Sequence, residues 1–216
     1  EDTIEYNFNE ATGVLVFRGE GEIYQDYFGT PENRDEITAK IKTVIIEDGI
    51  KSIGRYVFSD FPVLENVVLP FEFEKIDEHA FAYCKSMKKF NFNVSEYLSV
   101  RPYAFKGSGL EYVNIPSNVG VYGHVFDDCD SLKKIVFNAG WCIVSDCDSL
   151  TEIVMPADIH ELGSTAETEE PICTIARNCK NLRTITFPAV EEINNIKVST
   201  ANYGMFVEDG PNLKTI

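Results

Sequence analysis

The chain has 216 residues, 44% of them hydrophobic, which is ample for a folded core, and no stretch approaches the roughly 18 uninterrupted apolar residues of a membrane helix. With 19 basic residues against 35 acidic ones the formal charge is -16, which opposes sequence-independent attraction to nucleic acid or anionic lipid. The acidity is uneven: residues 1–36 hold ten carboxylates against Arg18 and Arg34, and read as a solvated acidic end or an acidic docking surface. The chain opens at Glu1 without a charged-then-apolar leader and is expected to be a mature or trimmed form.

In chain order, Ile4, Tyr6 and Phe8 alternate, Asn9 to Gly13 supply turn residues, and Val14 to Phe17 favour a strand, so residues 4–18 predict a β-hairpin. The adjoining GEGEIYQDYFGTPENRDE mixes aromatic, Gly, Pro and acidic residues and reads as an irregular connector. Residues 1–40 together are expected to cap the open edge of a repeat array that begins at residue 41.

From residue 41 a unit recurs, opening at Ile41, Leu64, Met87, Leu110, Leu132, Leu150, Leu182 and Leu213, with spacings of 23, 23, 23, 22, 18, 32 and 31. Three and five residues after each of the first seven openings stand apolar residues: Val44/Ile46, Val67/Leu69, Phe90/Phe92, Val113/Ile115, Ile135/Phe137, Ile153/Met155 and Ile185/Phe187. A period of two predicts a strand with that face inward. Pro70, Pro116, Pro156 and Pro188 stop these strands, since proline has no N–H to continue the ladder. A second apolar position comes next (Ile53, Ile76, Val100, Tyr122, Leu162, Ile193). After it stand the pairs Val57-Phe58, Ala80-Phe81, Ala104-Phe105, Val125-Phe126 and Met205-Phe206, with Ile143-Val144 and Ile175-Ala176 in their place in the fifth and sixth units. That return side is too short for a long helix and predicts single helical turns. A lone unit buries six or seven side chains at about 1.5–3 kcal/mol each, less than the ordering entropy of its residues, so the units must stack.

These units resemble the BspA-like leucine-rich repeats of bacterial surface antigens, with clear copies in IKSIGRYVF, EKIDEHAFAYCKSM and LEYVNIPSNVGVYGHVFDDCDSL. The resemblance covers residues 41–216, and TGVLVFRGEGEIYQDYF is similar to the segment that introduces such arrays. It implies a repeat solenoid: a right-handed superhelix with a concave parallel β-sheet, short helical turns or strands on the return side, and an N-terminal hairpin cap. It also implies a secreted or cell-surface location and adhesion or protein binding rather than catalysis. The fifth unit departs from the pattern by lacking its middle apolar segment. The sixth and seventh depart by insertions near residues 163–171 and 194–203.

Cys84, Cys129, Cys147 and Cys179 each stand three residues before a unit opening and are expected to be buried, reduced thiols. Cys142 and Cys173 occupy comparable places in adjacent units, as free thiols or as a disulfide. His79 and His124 share a repeat site two units apart, about 10 Å at about 4.8 Å per strand, too far to share a metal; solvated or capping roles suit them better. Asp128/Asp130 and Asp146/Asp148 recur in DDCDS and SDCDS as turn caps, with a weak calcium site the alternative. No catalytic set or cofactor motif is present.

What remains is surface. The outward strand positions centre on Lys89, Asn91, Tyr112, Asn114 and Lys134, a mixed cluster suited to a protein or glycan partner or simply a solvated face. Trp141 and Tyr203, in the irregular later units, are further partner-binding candidates. The sequence therefore reads as a non-catalytic binding protein, without cofactor, nucleic acid or membrane insertion; the alternative is a structural spacer displaying something beyond Ile216. The eighth strand begun at Leu213 is expected to continue past Ile216 or to pair end to end.

Overall fold

The structure, a computed structural model, describes residues 3–24, 34–138, 140, 142–157, 175–187 and 207–208. The leading segment contributes β1 (Glu5–Asn9), β2 (Val14–Arg18), β3 (Gly21–Ile23) and the short helix α1 (Arg34–Thr38). The repeats then add strands in pairs: β4 (Thr43–Ile46) with β5 (Ile50–Ile53), and β6 (Asn66–Val68) with β7 (Lys75–Ile76). Next comes β8 (Leu98–Val100) alone, then β9 (Tyr112–Ile115) with β10 (Val119–Val121) and β11 (Lys134–Phe137) with β12 (Val144–Ser145). The last are β13 (Glu152–Val154), β14 (Ala176–Arg177), β15 (Thr184–Thr186) and β16 (Val207–Glu208).

The expected inward positions fall into register across neighbouring units: Val44 faces Val67, Val113 faces Ile135, and Ile135 faces Ile153, which faces Ile185. These parallel strands, with the antiparallel β1 at one edge, make a front sheet in two pieces, β1-β2-β4-β6 and β9-β11-β13-β15. The middle apolar positions make a second parallel sheet, β3-β5-β7-β8-β10, and a third parallel group, β12-β14-β16, lies in the later units. In the fourth unit Val121, not Tyr122, takes the middle position. Val121 pairs with Val100 and is buried, while Tyr122 is exposed, because strand alternation turns successive side chains to opposite faces.

The leading segment is more regular than its composition suggests. β1 and β2 form the expected antiparallel hairpin, but β2 also runs parallel to β4, and β3 runs parallel to β5. Leu15 and Phe17 thus align with Val44 and Ile46, and Ile23 with Ile53, as one more coil of the stack. The connector expected to be irregular contains β3 and α1. Mixed composition hid a three-residue strand whose only apolar anchor is Ile23.

On the return side the expected helical turns are replaced by non-helical turns, and α1 is the only helix among the described residues. Turn stacks on turn through backbone bonds: Phe58 N–H to Ala80 C=O at 2.9 Å, Phe81 to Ala104 at 2.8 Å, and Phe105 to Val125 at 3.0 Å. Inside, the rings of Phe58, Phe81, Phe105 and Phe126 form a ladder, with successive centroids 5.4, 5.5 and 5.7 Å apart.

The repeated cysteines have a physical reason. Each thiol, fully buried, reaches a backbone carbonyl of the preceding coil: Cys84 Sγ to Phe58 O at 3.1 Å, Cys129 to Phe105 O at 3.2 Å, Cys147 to Phe126 O at 3.2 Å, and Cys179 to Val144 O at 3.5 Å. All four are free, as is Cys142, which is also buried; Cys173 lies outside the described residues. The residue before this site turns left-handed in unit after unit, with φ of 60° at Asp60 and Tyr83, 63° at Gly107, 57° at Asp128, 56° at Asp146 and 52° at Asn178. Asp and Asn tolerate that conformation better than other side-chain-bearing residues, which accounts for the acidic turns DDCDS and SDCDS. Their carboxylates meet neighbouring groups: Asp128 pairs with Lys106 at 3.1 Å, Asp146 accepts from Asn178 at 3.0 Å, and Asp148 pairs with Lys180 at 3.2 Å.

Candidate binding surface

The front sheet stops at the third unit. Lys88 to Val94 contribute no strand, although the units on either side contribute β6 and β9, and the second sheet runs through the same unit by way of β8. Elsewhere the front edge is stitched unit to unit at the residue after each opening: Glu65 N–H to Lys42 C=O at 2.9 Å, Lys133 to Glu111 at 2.9 Å, and Thr151 to Lys133 at 2.9 Å. The third unit keeps the bond forward, Glu111 N–H to Lys88 C=O at 3.0 Å, but among the described residues Lys88 makes none back to Glu65. Lys89, Phe90 and Asn91 make no backbone hydrogen bond among those residues. Val67 and Leu69, on the side of the interruption, are only partly buried, whereas Val44, Ile46, Val113 and Ile115 are buried.

The cause is local. Six of the seven units place a β-branched residue three positions after the opening, and the third places Phe90 there. Its ring lies 5.4 Å from Phe81, 4.8 Å from Phe92 and 4.7 Å from Phe105. An aromatic at that depth, beside the Phe ladder, needs more room than valine, and the backbone is held off the sheet line. Asn91 and Asn93, poor strand formers, do little to oppose this. Phe at the fifth position is not enough, since Phe137 sits in β11.

Between the displaced segment and β9 lies a recess of about 290 Å³, lined among others by Lys89, Asn91, Asn93, Tyr112, Asn114 and Asn118. Four of the sequence candidates, Lys89, Asn91, Tyr112 and Asn114, therefore meet here. Lys89, Asn91 and Tyr112 are exposed and have no side-chain partner among the described residues, while Asn114 accepts from Asn138 at 2.9 Å. Asn118 is committed to the wall, donating to Val94 O at 3.0 Å and Glu96 O at 2.8 Å. Lys134 stands beside Tyr112 in register, but Glu152 holds its ammonium at 2.7 Å, and it does not line the recess. Trp141 and Tyr203 lie outside the described residues, as do the two insertions.

Sequence reasoning missed part of this patch. Val68 and Phe71, 51% and 60% exposed, stand on the second-unit side of the interruption, and Lys85 and Lys88 flank it without ion pairs among the described residues. The aromatic Phe90 in a column of valines and isoleucines was the available signal.

The histidines occupy a different place. Tyr56, His79, Tyr103 and His124 stack along the return side, with centroids 4.7, 5.1 and 5.7 Å apart. Tyr103 thus separates the two imidazoles, so neither is merely solvated, and burial pushes the His79 pKa down against the opposing pull of Glu78. His124 also meets Asp127 at 3.0 Å and Ser145 at 3.4 Å, a Ser-His-Asp grouping that spacing did not reveal. Both partners approach the same ring nitrogen, Nδ1, and Ser145 is buried. A nucleophile and an orienting carboxylate must occupy opposite imidazole nitrogens, so this arrangement ties the fourth coil to the fifth rather than relaying a proton. Ser145 N–H donates to Asp127 at 3.2 Å in the same junction. Burial pushes the Asp127 carboxyl above its ordinary value, and His124 pulls the other way.

Parallel strands in register, one apolar opening residue per coil and an inner aromatic ladder define a leucine-rich repeat protein. A family model described as BspA type Leucine rich repeat region matches residues 36–146 in 6 copies, and the chain belongs to that family. Among solved structures it is similar to a leucine-rich repeat protein from Bacteroides ovatus, at 22% identity and a TM-score of 0.54, over 87% of this chain and 52% of that one. The chain thus spans about half the length of that protein. It is also similar to a leucine rich repeat protein of T. pallidum, at 20% identity and a TM-score of 0.50, over 69% of this chain and 78% of that one. No curated protein matches it.

Proposed function

We propose that this chain is a non-catalytic binding module of a secreted or cell-surface bacterial protein, and that its partner, a protein, seats on the front sheet where the third unit interrupts it. The observation that carries this reading is the interruption itself. It leaves Lys89, Phe90 and Asn91 without backbone partners among the described residues, beside a recess that gathers Lys89, Asn91, Tyr112 and Asn114. A regular stack has no need of such a defect, and aromatic and long basic side chains at its rim suit an interface. Membership of a family associated with bacterial surfaces supports the location, and leucine-rich repeat proteins generally mediate protein binding. No helix among the described residues is long and apolar enough to cross a membrane.

The division into a leading segment, 1–40, and a repeat array, 41–216, belongs to the same proposal, with β1 closing one end of the front sheet. Trp141 and Tyr203 are proposed as secondary contacts in the irregular later units.

Selection of a displayed protein library against the immobilised chain tests the reading. Selected ligands should lose about tenfold or more in affinity when Lys89, Tyr112 and Asn114 are all replaced by Ala. Unchanged affinity would place the binding face elsewhere, and failure to select any ligand would favour a structural spacer.

A further inference from the structure

Resting on the reading of the third-unit surface as the binding face, we infer that its ligand is an extended, acidic stretch of polypeptide that adds to the broken front sheet. Three features point to polypeptide. Lys89, Phe90 and Asn91 present backbone donors and acceptors that nothing else in the described chain uses, and β6 and β9 each end a sheet on that side. An extended peptide satisfies such groups with its own backbone, the pairing mode that exposed sheet edges support. The side chains of Asn91 and Asn93, without partners among the described residues, offer both donors and acceptors to peptide amides. Val68 and Phe71 on one side and Tyr112 on the other, all at least half exposed, supply apolar contact for alternate side chains.

The charge of the occupant is set by Lys85, Lys88 and Lys89. They are exposed and form no ion pair among the described residues, in a chain whose net charge is -16. Most other lysines in the described chain are already matched: Lys40 with Glu10 and Glu36, Lys51 with Glu72, Lys75 with Glu22, Lys106 with Asp128, Lys133 with Glu111, and Lys134 with Glu152. Three ammonium groups that form no ion pair among the described residues stand beside the break at the third unit, Lys88 within electrostatic reach of Glu111, and make a local positive patch on an otherwise acidic molecule. Such a patch attracts carboxylates and repels basic segments.

The probe is a short fluorescein-labelled peptide of alternating Glu and Val, measured by fluorescence anisotropy. Alongside it are a Lys/Val peptide, a Glu/Val peptide N-methylated at alternate amides, and heparin as a polyanion without a peptide backbone. The Glu/Val peptide should bind and weaken with added salt, and Lys88→Glu with Lys89→Glu should lower its affinity by about tenfold or more. Arg183→Glu, far along the array, should leave it unchanged, and the Lys/Val peptide should not displace the Glu/Val peptide from the parent chain. Equal binding of the N-methylated peptide would overturn the sheet-addition claim. Preferential binding of heparin would replace the peptide by an anionic glycan. If acidic peptides fail while library ligands still depend on Lys89, Tyr112 and Asn114, this inference falls and the binding face stands. If library ligands ignore those residues too, both fall.

Discussion

Replacing Phe105 by Ala should be among the most damaging single changes in the array. The ring is fully buried and touches four others: Phe81 at 5.5 Å, Phe126 at 5.7 Å, Phe90 at 4.7 Å and Phe92 at 5.9 Å. Truncating a buried Phe costs about 3–5 kcal/mol, and each lost ring pair adds up to about 1 kcal/mol, not fully additively, so about 4–5 kcal/mol is expected. Phe105→Leu, which keeps most of the volume, should cost about 1.5 kcal/mol. Urea unfolding followed by far-ultraviolet circular dichroism measures both. With a slope of about 2–3 kcal/mol per molar, the Ala variant's midpoint should fall by about 2 M. Because stacked repeats share their stability mainly with immediate neighbours, exchange of backbone amides should rise most in the third and fourth units. A midpoint shift below about 0.5 M would refute the packing of the aromatic ladder as described.

Cys84→Ser should cost less than Cys84→Ala in the same assay, because a serine hydroxyl keeps a donor within reach of Phe58 O, whereas Ala removes that bond from a fully buried site, at about 1–3 kcal/mol. Burial pushes the Cys84 thiol from 9.0 up to about 12, so the folded chain keeps a proton that the unfolded chain releases, and stability should fall as pH rises through that window. Cys84→Ser should flatten part of that fall; a pH series of urea midpoints reads it. Gly109→Ala should destabilise by about 2 kcal/mol or more, since the added Cβ would stand 2.0 Å from Lys85 O, a backbone atom that cannot swing away. Thermal melts of the Gly109 variant check this. Phe90→Val should draw the third unit into the front sheet, raising the protection of amides 89–91 in hydrogen exchange and weakening ligand binding at the recess.

The repeat itself was readable because its burial is periodic. Opening residues, inward strand pairs and the small-aromatic pairs recur at fixed intervals, and they are the residues that pack coil on coil. Tyr122 was misplaced by one because Val121 beside it is equally apolar, and a one-residue shift turns a strand's other face inward. β3 and α1 escaped because their order comes from pairing with β5 and from the Arg34 contact to Val57 O at 2.9 Å, not from their own pattern. The candidate cluster at Lys89, Asn91, Tyr112 and Asn114 was legible as outward strand positions. The interruption that turns it into a recess was not, because matching Phe90 to "apolar" discards the ring's size. The thiol bonds of Cys84 and its counterparts were legible as a shared site, but their carbonyl partners lie a full coil away in sequence.

Hydrogen exchange resolved to single amides in the unliganded chain shows whether the front sheet is broken at the third unit. Rapid exchange is expected at Lys89, Phe90 and Asn91, with slow exchange at Val44 to Ile46 in β4 and at Val113 and Ile115 in β9, because these strand amides hold ladder bonds and those of residues 89–91 hold none among the described residues. Protection at residues 89–91 equal to that of these amides of β4 and β9 would mean an unbroken front sheet, and the binding face proposed at its break would have no structural basis.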